Sequence, residues 1–197
     1  MAPTLDITHI GTATAILTIN GVNFLTDPFS FPCRNYHEDH PDNLDELGRL
    51  LLDGRRVFTT VDGGKNLAPR PAVHGMKPWE EIESKIGGKS FKIMATPTQH
   101  VPGNECTGFI VTGEDFGHGR DGLPNAIYFT GDTVYIEELD SIADRFHIVA
   151  AVMNLGNAHA PISEDPNAPP YANNHGRQGW GHTLSRYQSR RARSDAL

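Results

Sequence analysis

The run Tyr36-His37-Glu38-Asp39-His40-Pro41-Asp42-Asn43-Leu44-Asp45 concentrates metal-ligating chemistry: two imidazoles and four carboxylates stand within nine residues. Imidazole nitrogen and carboxylate oxygen are ordinary zinc ligands. The run precedes an apolar helical pattern, and a short loop ending at a helix N-terminus can aim several donors at one point. A solvated acidic loop carrying an N-cap is the other reading of the same residues. Two further donors stand elsewhere. His100 follows an apolar run and precedes Val101-Pro102-Gly103, and Asp132 sits in Gly131-Asp132-Thr133 after another such run. Taken singly, each is the kind of residue that caps a turn or lies at the surface. Taken together, the three are strand-end and loop donors, and catalytic metal sites are assembled in that way. His74, His118, His147, His159, His175 and His182 read as structural or solvent-facing.

The elements that must position these donors are mostly strands. Leu5 to Ile10 alternates, and Ala13 to Ile19 is β-branched and apolar. Asn20-Gly21 then suits a type I′ hairpin turn. Val22 to Thr26 returns and ends at Asp27-Pro28, where proline removes a ladder donor. Leu44, Leu47 and Leu51 recur at helical spacing over 43–53, with Gly54 placed as a C-terminal cap. Short strands are expected at 56–60, in a hairpin turning at Gly87-Gly88 whose second arm is 90–95, at 107–112 and at 125–130. Val134, Ile136, Leu139, Ile142 and Phe146 predict an amphipathic helix. His147 to Leu155 reads as a buried strand. Beyond Gly156 no period of 2 or 3.6 is sustained. Strands punctuated by helices imply a layered α/β fold, divided into a domain over 1–160 and an irregular or disordered C-terminal tail over 161–197.

Composition narrows the function classes. The chain has 197 residues with 17 Lys and Arg against 24 Asp and Glu, a net charge of -7 that argues against nucleic acid as a partner. Its longest apolar run, Ile148 to Met153, is far short of the ~20 residues a membrane span needs. The N-terminal residues lack the basic and apolar regions of a signal peptide, so a cytoplasmic location is expected. Cys33 and Cys106 form neither a disulfide framework nor a Cys-x-x-Cys pair. The 20 glycines imply many turns, and ten histidines favour a metal site. Oligomeric state is not legible.

Five motifs in order carry a resemblance to the metallo-β-lactamase superfamily. They are Thr8-His9-Ile10-Gly11-Thr12-Ala13-Thr14, Leu25-Thr26-Asp27-Pro28, His37 through Asp45, Thr96-Pro97-x-x-His100 and Phe129-Thr130-Gly131-Asp132-Thr133. The branch they resemble is the ascorbate-phosphate lactonase-like, N-acyl-phosphatidylethanolamine phospholipase-like group of zinc hydrolases, over residues 5 to about 160. The resemblance implies an αββα sandwich with a metal site along one edge of two sheets. The family's signature loop is His-x-His-x-Asp-His. His40-Pro41-Asp42 matches its second half, His37 falls one residue early, and Asn43 replaces its last histidine. The implied ligands are His37, His40 and His100, with Asp42 for a second ion and Asp132 as the bridging carboxylate. One or two Zn2+ ions are implied, and other divalent metals suit similar ligands. Asp42 is also the implied catalytic residue, as ligand or as the group orienting the water. His9, Asp27 and Asn43 are implied to support the ligands from behind. The implied reaction is attack of a metal-bound hydroxide on a small-molecule ester, lactone or phosphodiester, since zinc lowers the pKa of its water to ~7. Iron in a redox or oxygenase centre uses similar ligands.

The sequence departs from the family twice. Only nine residues separate Asp27 from His37, where the family carries a core strand. At the C-terminus, Arg186-Tyr187-Gln188-Ser189-Arg190-Arg191-Ala192-Arg193-Ser194-Asp195-Ala196-Leu197 stands where the family has a strand and a late histidine ligand. One back-translation of that run, shifted by a base, reads Asp-Ile-Lys-Ala-Asp-Val-Leu-Val-Pro-Met-His. The sandwich is therefore expected to be incomplete. The alternative function is a non-catalytic, truncated or frameshifted product with impaired metal binding.

Overall fold

A computed structural model describes residues 3–11, 14–27, 46–100, 106–153, 159–160 and 171–172. The loop at 37–43, the gap before it and most of the segment beyond 153 lie outside these residues. So do the predicted core-strand loss and the proposed tail boundary.

The N-terminal strands form as their alternation predicts. β1 (Leu5–Gly11), β2 (Thr14–Ile19) and β3 (Val22–Thr26) make an antiparallel sheet in that order. Asn20 and Gly21 both take positive φ, 48° and 81°, as a type I′ turn requires. A second sheet has the order β10-β9-β8-β7-β6. Its strands are β6 (Glu81–Ile86), β7 (Lys89–Thr96), β8 (Gly108–Gly113), β9 (Asn125–Phe129) and β10 (His147–Val152). β6 to β9 are an antiparallel meander, and β10 lies parallel to β9.

The two sheets face each other. Ala15, Leu17, Ile19 and Val22 of the first pack with Phe91, Ile93, Val111 and Ile127 of the second, and Phe116 closes the cluster. Phe91 sits at its centre, 1% exposed, with edge-on contacts to Phe24 and Phe116. The alternate residues of the second sheet, Met94, Ile110, Ala126 and Tyr128, meet Leu139, Ile142 and Phe146 on its outer face. That cover is the predicted amphipathic stretch, formed as a 3-10 turn (Glu137–Ser141) running into α3 (Ile142–Arg145). Trp79 pins it, its Nε1–H donating to Glu138 Oε1 at 2.6 Å under the Arg145 guanidinium. The architecture is α/β with mixed sheets: two facing sheets and a helical layer on one of them.

Two expectations need correction. Helix α1 (Glu46–Leu50) and its following turns exist, and Gly54 has φ 71°. Its buried face is not the predicted one: Leu47 and Leu51 are exposed, whereas Gly48 and Leu52 are buried. The buried pair keeps i,i+4 spacing, so the helix docks through a stripe one residue along from the predicted one; after it, Leu51, Leu52 and Asp53 donate to the carbonyls three residues back. Strand β10 is likewise not buried throughout. It pairs with β9 alone among the described residues, and Val149 is exposed. Its apolar composition matches a central strand, but among the described residues it is the last strand of its sheet.

One unit was not foreseen in full. β4 (Val57–Thr60) was expected, but α2 (Val61–Asn66) and the parallel partner β5 (Val73–Met76) were not. The Thr60 hydroxyl caps α2 by accepting the Gly63 N–H at 3.0 Å. With two glycines and no apolar period, α2 carried no helical signal. A short antiparallel pairing joins β11 (His159–Ala160) to β12 (Tyr171–Ala172). No helix among the described residues is long and apolar enough to cross a membrane.

Candidate functional site

Topology decides which residues meet. β7 and β9 both run antiparallel to β8, so their C-terminal ends lie at the same end of the sheet, where β8 begins. β10, parallel to β9, ends there too, and the Thr130 N–H donates to Val152 O at 3.0 Å. His100 follows β7, Asp132 follows β9, and Cys106 precedes β8. Two donors of the β7–β8 connection and one from after β9 are thereby delivered to one sheet end.

Hydrogen bonds then stitch the two connections together and close the first on itself. The Gln99 N–H donates to Thr133 Oγ1 at 2.9 Å, and the Val134 N–H donates to Gln99 O at 2.9 Å. Those bonds bind the residue before His100 to the two residues after Asp132. The Thr98 hydroxyl donates to Cys106 O at 2.6 Å, and the Thr107 hydroxyl donates to Thr96 O at 3.3 Å. Gly131 makes the turn that presents Asp132. Its φ is 62°, and a Cβ there would lie 2.5 Å from Thr107 O, so both conformation and space demand glycine.

Asp27 joins from the first sheet. It ends β3 at φ 38°, a left-handed conformation that aspartate tolerates better than most residues. The Thr14 hydroxyl grips its carbonyl at 2.5 Å. Burial, and then the negative charges of Asp132 and Asp27, push the Cys106 thiol up to about 12; the backbone N–H groups of Asp132 and Thr107 act in the opposite direction. The sulfur thus lies against the Asp132 backbone and the thiol is held neutral. Cys106 had been set aside because no second cysteine stands at ligand spacing. The signal that identifies it is the meander itself, which returns the start of β8 to the ends of β7 and β9.

Of the predicted residues, the structure places His100 and Asp132 in adjoining, part-buried loops, and Asp27 directly after β3 of the first sheet. His9 lies near the end of β1, opposite Ala15, which in turn pairs with Thr26 beside Asp27. It is therefore at the same end of the first sheet. His37, His40, Asp42 and Asn43 lie outside the described residues. Among the described residues, no three His, Cys, Asp or Glu side chains form a group able to hold an ion. The donors at the sheet end, an imidazole and carboxylates with a neutral thiol beside them, suit a divalent metal chemically but make only part of a ligand set.

No family model matches the chain, and no curated protein matches it in sequence. Two solved structures do match in shape. One is the isothiocyanate hydrolase from Delia radicum gut bacteria, with a TM-score of 0.62 and 19% identity over 91% of this chain and 80% of that one. Another is Igni18, a metallo hydrolase from the hyperthermophilic archaeon Ignicoccus hospitalis, with a TM-score of 0.58 and 17% identity over 78% of this chain and 72% of that one. By their names both neighbours are hydrolases, one of them a metallo hydrolase. At such identities the likeness is one of fold: the chain has the fold of these two hydrolases.

Proposed function

We propose that the chain is a metal-dependent hydrolase of the metallo-β-lactamase superfamily, in the lactonase-like and phospholipase-like branch, with its site on residues 1–160. The observation that supports this reading is the delivery of His100 and Asp132 to one end of the second sheet, on a fold shared with a metallo hydrolase. His37, His40 and His100 would hold zinc through neutral imidazoles. Asp42 and Asp132 would add carboxylates for one ion or two. The metal, when bound, supplies Lewis acidity and a water acidified toward neutral pH.

The remaining work falls to the chain. Asp42 orients the attacking water and takes its proton. Asp27 and His9 support the sheet end from the first sheet, and Asn43 does so within the loop. Thr133 and Gly131 fix where Asp132 points. The substrate is a small molecule with an ester, lactone or phosphodiester centre. The alternative, a non-catalytic truncated or frameshifted product, is separated from this reading by one experiment. Purified protein is loaded with zinc, its metal content is measured, and turnover of generic lactone and phosphodiester substrates is followed. The proposal expects one or two ions per chain, with His100→Ala and Asp132→Ala each lowering metal affinity at least ~10-fold. A chain that takes up metal without turnover supports the non-catalytic reading. A chain that takes up none overturns the metal centre.

A further inference from the structure

Thr133 is 1% exposed, yet its hydroxyl is aimed away from the core at the backbone of another loop. It accepts the Gln99 N–H at 2.9 Å. Its own proton has two acceptors within reach, Val134 O at 2.8 Å and Gln99 O at 3.4 Å. The next backbone group, the Val134 N–H, also donates to Gln99 O at 2.9 Å. Both polar groups of the Gln99 peptide are thus held by residues 133 and 134. Their chain neighbours are His100 and Asp132. The clasp therefore ties the backbone beside one donor to the backbone beside the other.

We propose that Thr133 is a positioning residue that fixes the His100 loop against the Asp132 loop, an inference that rests on the reading of His100 and Asp132 as metal ligands. The physical reason is the cost of breaking the clasp in place. Removing the hydroxyl leaves the Gln99 N–H facing a methyl group, and a donor stranded in a partly dry site is unfavourable. Gln99 itself is exposed, so the loop has an easy escape: it swings outward until its amide meets water. That motion carries His100 away from Asp132. A buried threonine that only filled space would have no such effect on the donors.

The test compares Thr133→Val, which keeps the shape and loses the hydroxyl, with Thr133→Ser, which keeps the hydroxyl and loses the methyl. Zinc affinity is measured by chelator competition, well below the melting temperature of each protein. Melting of the metal-free forms is followed separately by circular dichroism. The expected result is zinc affinity near wild type for T133S and about tenfold weaker for T133V. Backbone amide exchange at Gln99 should be faster in T133V than in T133S. Thr133→Ala serves where valine prevents folding, and the same loss is expected. If T133V and T133S bind zinc with equal affinity, or if affinity simply follows melting temperature, Thr133 has no positioning role. If wild type binds no zinc while Gln99 exchange still separates the two variants, the clasp stands and the metal reading falls. If wild type binds none and exchange does not separate them, both fall.

Discussion

Cys106 and Asp121 show how differently two polar side chains behave in this chain. The Cys106 thiol is pushed up to about 12 by burial and by Asp132 and Asp27. It is therefore protonated at neutral pH, and the thiolate is the reactive form. Alkylation by iodoacetamide at pH 8, read by mass spectrometry, should be at least ~10-fold slower in the metal-free folded chain than in urea. Asp121 lies at the other end of the second sheet, its Oδ2 2.9 Å from His147 Nδ1, with both side chains under a fifth exposed. Burial acts to raise its pKa, but the His147 hydrogen bond, the Leu123 N–H and the His147 charge together bring it below the ordinary 3.8. A carboxylate depressed on folding contributes stability that is complete above its unfolded pKa and is lost as pH falls through the folded value. Asp121→Asn should therefore cost roughly 1–2 kcal/mol near pH 7. Urea midpoints of mutant and wild type should converge as the solution is acidified below 3.8. A constant gap down to the acid limit would contradict this account.

At the scale of elements, two glycines with similar backbones should respond differently. Gly21 has φ 81° in the first hairpin with open space where a Cβ would go. Gly21→Ala thus meets only the left-handed penalty, about 1–2 kcal/mol, and should leave metal affinity unchanged. Gly131 has φ 62° and a carbonyl 2.5 Å from the same hypothetical atom. Gly131→Ala must move backbone, either the Asp132 turn or the start of β8, and should cost ~2 kcal/mol or more. Zinc affinity should fall with it, because the turn carries Asp132. Thermal melting and chelator competition on both variants distinguish a hairpin defect from a site defect. Both glycines stand in recognisable turn contexts, Asn20-Gly21 and Gly131-Asp132, but only the second is crowded, and crowding is a property of the neighbouring strand.

Across the whole molecule, stability depends on the layer between the sheets. Phe91 is 1% exposed and touches aromatic rings from the first sheet and from the connection after β8. Phe91→Ala should cost ~3–5 kcal/mol, from lost transfer energy and the cavity left behind. Because the cluster draws residues from both sheets, they should unfold together: circular dichroism and Cys106 accessibility are expected to report one urea transition. Two separated transitions would show that the sheets are independent.

The strand order along the chain, the first hairpin turn and the outer amphipathic cover followed from the sequence alone. Alternation, Asn20-Gly21 and the Leu139, Ile142, Phe146 spacing are local signals, set by side-chain periodicity and backbone preference. His100 and Asp132 were also legible as strand-end donors, since each follows a strongly apolar run. The buried face of α1 was not legible, because Leu47, Leu51 and Leu52 offer two overlapping apolar stripes and tertiary packing chooses between them. Nor was α2, whose glycines conceal a helix made by its Thr60 cap and its strand partners. The place of β10 as the last described strand of its sheet depends on which neighbours it finds, which no local pattern records. The placement of Cys106 beside Asp132 and Asp27, and the Thr133 clasp on Gln99, arise only when the meander brings distant connections to one sheet end. Local sequence fixes which residues can donate, and the antiparallel order of β7, β8 and β9 decides which of them meet.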